Sequence, residues 1–189
     1  NSSNAFATVV VEDTTAPTVV PQNITVQLNQ AGIAPITAAM VDGGSSDNCG
    51  IASMSVDVSQ FDCADVGTKP VVLTVTDASG NTATAIAQVT IEDNLAPVAV
   101  AQDITVELDA TGSVTTMASD IDNGSSDNCG IATYTLSQTD FDCSNAGANT
   151  VTLTVTDAAG NTDTATATVT VVDVTAPVAV AQDITVALD

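Results

Sequence analysis

The sequence predicts an all-β protein made of tandem Ig-like β-sandwich repeats, and three observations lead there. The stretch GSSDNCGIA at Gly44–Ala52 returns unchanged at Gly124–Ala132, so the two copies are offset by 124 − 44 = 80 in the numbering. Apolar residues alternate with threonines at period 2, as half-buried strands require, and no segment keeps a helical period over three turns. Aromatics are only 2% of the residues and Trp is absent, so Val, Ile, Leu, Ala and Thr methyls must fill the core, which suits thin β packing. The same offset carries Cys63 to Cys143, and Ala16-Pro17 to Ala96-Pro97 and Ala176-Pro177. The expected organisation is an extended beads-on-a-string array with an 80-residue period. Residues 1–13 read as the last strand of a preceding repeat, 14–93 and 94–173 as complete repeats, and 174–189 as the first strand of a following one.

Within a repeat the elements follow from pattern and punctuation. Proline at Ala16-Pro17 fixes φ and starts an extended segment at a sheet edge. Ile24, Val26 and Leu28 alternate with Thr25 and Gln27, and Ile104, Val106 and Leu108 with Thr105 and Glu107, which predicts a first strand. A weaker pattern over 33–41 and 113–121 predicts a second. DGGSSDNCG is then a loop of turn-forming residues. Strands are expected over Ile51–Val58 and Ile131–Ser137, and a short one at Phe61-Asp62-Cys63 with its copy Phe141-Asp142-Cys143. Val71, Leu73 and Val75 (copy Val151, Leu153 and Val155) alternate with Thr, TDASGNT and TDAAGNT turn the chain with Gly80 and Gly160, and a last strand closes the unit. Six or seven strands per unit and no helix predict a sandwich.

Without gaps, residues 14–93 and 94–173 share 40 of 80 positions. The blocks 44–53 and 74–83 supply 17 of their 20, so copying is strongest in two loops rather than in the strands. Such loops share a local role, binding or a rigid joint. Composition narrows the choice. The net charge is −22, Lys69 is the only basic residue, and no Arg or His occurs. Nucleic acid is excluded as a partner because no cation can neutralise phosphates, and an anionic membrane surface is excluded in the same way. No apolar run approaches the ~20 residues of a membrane span, so direct membrane insertion is not expected. An 80-residue unit buries a modest core and needs a crosslink, a metal or a neighbour.

The four cysteines form two equally spaced sets, Cys49/Cys63 and Cys129/Cys143, without CxxC or His, so zinc is poorly supported. Bridging between repeats would span most of a domain length, whereas disulfide Cα atoms lie within ~7 Å. The expected pairs are therefore Cys49–Cys63 and Cys129–Cys143, in an oxidising extracellular compartment. The alternative is a pair of buried free thiols per copy.

The run VGTKPVVLTVTDASGNTATAIAQVTIED, preceded by DNCG and opened by APTVVPQNITV, resembles the hyalin repeat (HYR) domain, over both full copies and the flanking pieces. The resemblance implies an Ig-like extracellular module found in tandem in cell-surface and adhesion proteins, with long bacterial surface adhesins, gliding-motility adhesins among them, as its company. No Cys follows the first strand or sits in the last, where many hyalin repeats place them, so the resemblance carries no cysteine pairing.

Strand direction brings the two copied loops to one pole, beside the linker entering that domain. Asp122, Asp127 and Asn128 with Asp157 and Asn161 are expected around Glu92 and Asp93 of the linker; the previous joint gathers Glu12, Asp13, Asp42, Asp47, Asn48, Asp77 and Asn81. Carboxylates so crowded repel unless a cation lies between them, and Ca²⁺ takes six to eight hard oxygen ligands. The arrangement is similar to the calcium-stiffened joint between cadherin domains. The other reading is that these residues only cap turns. Asp120-Ile121-Asp122-Asn123-Gly124 has the look of an EF-hand start, but Met40 replaces Asp120 in the first copy.

Catalysis finds no support: there is no His or Arg, and Ser and Thr have no candidate base. Asn23-Ile24-Thr25 and Asn123-Gly124-Ser125 fit the glycosylation sequon; in a bacterial protein they would be coincidences. Two function classes remain. One is a structural and adhesive segment of a long extracellular cell-surface adhesin or filament, with neighbouring repeats and a surface or glycan ligand as partners. The other is an accessory carbohydrate-binding or spacer module of a secreted multidomain enzyme.

Overall fold

The computed structural model describes residues 4–187, and the chain divides into two compact units, Asn1–Leu95 and Ala96–Asp189. The first unit contains β1 (Ile24–Gln27), β2 (Ile33–Pro35), α1 (Ala38–Val41), β3 (Ile51–Val56), β4 (Gln60–Asp62), β5 (Gly67–Asp77) and β6 (Thr82–Glu92). The second contains β7 (Ile104–Glu107), β8 (Ser113–Thr115), α2 (Ala118–Ile121), β9 (Ile131–Leu136), β10 (Asp140–Asp142), β11 (Gly147–Asp157) and β12 (Thr162–Val172). Both are β-rich. In the first, a four-stranded sheet runs in the order β1-β6-β5-β3, and β2 and β4 form a two-stranded sheet. The second repeats this as β7-β12-β11-β9 with β8 and β10. β1 runs parallel to β6, and β5 antiparallel to both β6 and β3.

The long hairpins β5–β6 and β11–β12 supply most of the core because their alternation is strict. Val71, Leu73 and Val75 of β5 and Ala87, Val89 and Ile91 of β6 are fully buried or nearly so, and Phe61 of β4 is buried as well. In the second unit Val151, Leu153, Val155, Ala167, Val169 and Val171 pack with Leu108, Ile121 and Phe141 in one cluster. Each buried Val, Leu, Ile or Phe side chain contributes roughly 1.5–3 kcal/mol on leaving water. The buried face of β5 does not stop at Val75. Its next member is Asp77, 1% exposed, and on β11 it is Asp157, 2% exposed.

Two expectations are corrected by the structure. The second strand does not run over 33–41 or 113–121: pairing ends at Pro35 and Thr115, and one helical turn follows in each unit. Ala38, Ala39 and Met40 favour the helix, and the turn lets Val41 bury completely. In the second turn Asp120 accepts a hydrogen bond from Met117 N at 2.8 Å, so it caps α2. Residues 4–13 and 174–187 carry no strand assignment.

The cysteine pairing is the second correction. Cys49 and Cys143 are free, exposed thiols, while Cys63 and Cys129 are disulfide-bonded, so neither Cys49–Cys63 nor Cys129–Cys143 forms. The reason is the length of β5. Cys49 lies two residues before Ile51, which pairs with Asp77 at one end of that strand. Cys63 lies in the turn leading to Gly67 at the other end. Ten steps of extended chain separate those ends by about 33 Å, far beyond the ~7 Å that a disulfide spans.

Candidate metal centre

The cluster is built from three chain segments of the first unit. Asp13 comes from the segment entering the unit, Asp47 from the loop after α1, and Asp77 from the end of β5. One carboxylate oxygen from each lies within 4.8 Å of the others. Asp77 is held by its own hairpin: Ser79 N and Asn81 N donate to its Oδ1 at 2.9 and 2.8 Å, and Asn81 Nδ2 donates to its Oδ2 at 2.8 Å. Gly80, at φ 92°, lets the chain turn tightly enough for both backbone donors to face one oxygen. Burial pushes the Asp77 carboxyl up, but the hydrogen bonds from Asn81, Ser79 and Gly80 outweigh it and leave the group below its ordinary 3.8.

Asn81 also draws in the entering segment, donating to the Asp13 carbonyl at 3.0 Å and to the Thr15 carbonyl at 3.4 Å. Thr15 N then donates to Asp13 Oδ1 at 3.0 Å, which is the main reason that carboxyl sits below its usual range. Its other oxygen, Oδ2, is buried and has no hydrogen-bond partner. Asp47 Oδ2 accepts from Cys49 N at 3.0 Å. The Asn48 amide borders the cluster in either orientation. It approaches Asp13 Oδ1 at 3.5 Å in one, and donates to both Asp47 oxygens at 3.1 and 2.8 Å in the other. Asp13 pushes the neighbouring Cys49 thiol up.

Glu12 and Asp42 stand apart from the trio. Asp42 Oδ1 accepts from Ser45 N at 3.0 Å and Ser45 Oγ at 2.5 Å, which saturates it within its own turn and lowers its carboxyl pKa. Glu12 lines a shallow concavity with Val11, Asp13, Thr14 and Ser79.

The second unit repeats the loop geometry. Asp157 Oδ1 accepts from Asn161 N and Oδ2 from Asn161 Nδ2, both at 2.7 Å, and Asp127 Oδ2 accepts from Cys129 N at 2.8 Å. Asp127 and Asp157 bring oxygens within 4.8 Å of each other, and Asp127 Oδ1 is buried without a hydrogen-bond partner. Asp122 Oδ1 accepts from Ser125 N at 3.1 Å, as Asp42 does in its turn. At the end of the first unit, Asp93 is buried and accepts from Leu95 N at 3.2 Å, the counterpart of Asp13 with Thr15. Glu92 Oε2 instead accepts from Gln27 Nε2 at 2.8 Å.

Sequence reasoning placed Asp77 and Asp157 in the site but missed that they are buried. The signal was the alternation itself, since counting by two from Val71 or Val151 reaches these residues on the core face. Asn23 also has a plain structural role. Its Oδ1 accepts from Gln88 N at 2.8 Å, and Asp103 does the same for Thr168 N at 2.7 Å in the copy.

Comparison with protein families and with curated proteins returns no match. Among solved structures the chain is similar to human protocadherin-24 EC1-2, at 10% identity and a TM-score of 0.44, covering 84% of this chain and 99% of that one. Human mucin-like protocadherin EC1-2 matches at 17% identity and a TM-score of 0.40, with 83% and 98% covered. Protocadherin gamma B7 cadherin domains 1-4 match at 13% identity and a TM-score of 0.38; 84% of this chain is covered, which spans about half (51%) of that chain. At this level the likeness does not place the chain in a family.

Proposed function

We propose that the chain is a segment of a tandem array of Ig-like, hyalin-type repeats from an extracellular cell-surface adhesin, of the bacterial kind its sequence resembles, and that Ca²⁺ stiffens it. In this reading the array keeps its 80-residue period, and its partners are neighbouring repeats and a surface or glycan ligand. The observation that carries it is Asp13 Oδ2, a buried carboxylate oxygen with no hydrogen-bond partner beside two further carboxylates. A buried acceptor left unsatisfied is costly, and a shared cation removes the cost. The donor set fits calcium. Ca²⁺ binds hard oxygens at about 2.3–2.6 Å, so two ligands on opposite sides of one ion lie roughly 4.8 Å apart. No side-chain cation is at hand, because Lys69 pairs with Asp65 at the far end of β5.

By the 80-residue correspondence, Asp93, Asp127 and Asp157 would serve the second repeat as Asp13, Asp47 and Asp77 serve the first. Bound Ca²⁺ supplies a positive charge shared among carboxylates. Asp77 presents a fixed oxygen, Asn81 positions the entering segment, and Asp13 links that segment to the loops, so binding would restrain the hinge as well as the unit. The test is to add Ca²⁺ to chelator-treated protein while following melting temperature and small-angle scattering. The reading expects a higher melting temperature and a longer maximum dimension. If neither changes, calcium stiffening is wrong and the acidic loops are turn caps.

A further inference from the structure

The two copies of the loop that follows the helical turn carry an inference that does not depend on calcium. Residues 42–52 read DGGSSDNCGIA and residues 122–132 read DNGSSDNCGIA, so they differ at one position, Gly43 against Asn123. Asn123 is the only asparagine of the sequence that is followed by glycine. Both Asn123 and Gly124 are exposed.

Local geometry leaves this pair open to reaction. The side-chain amides of Asn81, Asn149 and Asn161 are held by hydrogen bonds of 2.8, 2.7 and 2.7 Å. No such bond holds the Asn123 amide among the described residues. Gly124, at φ 87°, has no atom within 4 Å of where a Cβ would lie, so its backbone nitrogen can be approached. That nitrogen donates a long hydrogen bond, 3.4 Å, to Asp122 Oδ2, which restrains it little. The same loop grips the segment that enters the second unit. Asn123 N donates to the Val100 carbonyl at 2.9 Å, and Val100 N to Ser125 Oγ at 2.9 Å. Val98 N donates to the Ser126 carbonyl at 2.7 Å, and Ser126 N to the Val98 carbonyl at 3.1 Å.

We propose that Asn123-Gly124 is a deamidation site of the folded protein, and that isoaspartate formed there loosens Val98–Ala101 from the loop in the second unit alone. Gly124 N attacks Asn123 Cγ, forming a new C–N bond, and the bond from Cγ to Nδ2 breaks. The side-chain NH₂ leaves as ammonia with the proton given up by Gly124 N, and a cyclic imide remains. Water then adds to either imide carbonyl and opens the ring, giving an aspartate or an isoaspartate without any oxidant or reductant. In the isoaspartate the main chain runs through the former side chain and gains a methylene. The inserted methylene shifts Ser125 and Ser126 relative to Asn123 N, so their bonds to Val98 and Val100 cannot all be kept. The first unit has Gly43 at this position and is exempt.

The experiment is to age the folded protein in warm, mildly alkaline buffer with chelator, beside Asn123→Gly, which takes the residue that the first unit carries. Peptide mapping by mass spectrometry locates each amide lost, and methylation by an isoaspartyl methyltransferase reports isoaspartate. Hydrogen exchange follows Val98–Ala101 and its counterpart Thr18–Pro21. The proposal expects the parent to convert Asn123 before any other asparagine and to become a methyl acceptor. Exchange should then quicken over Val98–Ala101 and stay level over Thr18–Pro21. Asn123→Gly should lose the methyl acceptance and keep its protection on ageing. Conversion of another asparagine first, an Asn123 amide that persists in the folded parent, or unchanged exchange over Val98–Ala101 after isoaspartate has formed would overturn the proposal.

Discussion

At one end of β5, Asp62 and Asp65 surround a short 3-10 turn; at the other, Asp77 meets Asp13 and Asp47. Asp62 Oδ1 accepts from Ala64 N at 2.8 Å, and Asp65 Oδ2 accepts from Asp62 N at 3.2 Å. Lys69, the only basic residue, reaches Asp65 Oδ1 at 3.4 Å. Those two carboxylates are answered by local N–H groups and by a cation. At the opposite end three carboxylates converge, one is 1% exposed, and a buried oxygen of another has no hydrogen-bond partner. The two regions have similar residues and opposite needs. What separates a turn cap from a cation site is how many oxygens the chain's own donors leave unsatisfied, and acidity alone does not reveal that.

The largest effect is expected from Asp77→Ala, which strips three hydrogen bonds from a buried hairpin and frees Asn81 from its anchor. It should lower the melting temperature of the first unit by roughly 10 °C or more, measured in chelator. Asp62→Ala, at the exposed cap, should cost about half that or less. Equal losses would erase the contrast between the two ends.

Next in size is the calcium-linked shift. If Ca²⁺ binds the folded state alone, a hundredfold excess over Kd adds about 2.7 kcal/mol. Asp13→Asn should lose the first unit's share of that gain while melting close to the parent in chelator. A full calcium shift in this variant would remove Asp13 from the site.

Acid sharpens the comparison from another side. Hydrogen bonds hold the carboxyls of Asp42, Asp109, Asp140 and Asp142 below their ordinary 3.8, and those of Asp13 and Asp77 are lowered too. A folded value lower than the unfolded one contributes stability that is present above about pH 3.8 and is lost as pH falls through the folded values. Melting temperature in chelator should therefore be level between pH 5 and 7 and decline below about pH 3.8. A level curve down to pH 2 would contradict these hydrogen bonds. The smallest effect belongs to Lys69→Gln: its ion pair is more than a third exposed on both sides, so melting should move by no more than about 2 °C.

The hairpins β5–β6 and β11–β12 were legible because strict alternation with a Gly turn has few other solutions. Strand direction was enough to assign loops 42–50 and 77–81 to one pole. Less could be read where one turn of chain decides. Ala38–Val41 is too short for a helical period to register, and its residues also suit a strand. Asp42 and Asp47 look alike in the sequence, yet Ser45 saturates the first and leaves the second facing its neighbours. The cysteine pairs were misread because a fourteen-residue spacing looks local, whereas β3 and β4 carry the chain from one pole to the other between Cys49 and Cys63.

Isothermal calorimetry of Ca²⁺ into chelator-stripped protein, alongside Asp13→Asn and the control Asp65→Asn, tests the central claim most directly. A calcium site at Asp13 predicts a saturable binding heat for the parent, the same heat for Asp65→Asn, and loss of the first unit's site in Asp13→Asn. Heat that is absent from the parent, or that survives unchanged in Asp13→Asn while disappearing in Asp65→Asn, would contradict it.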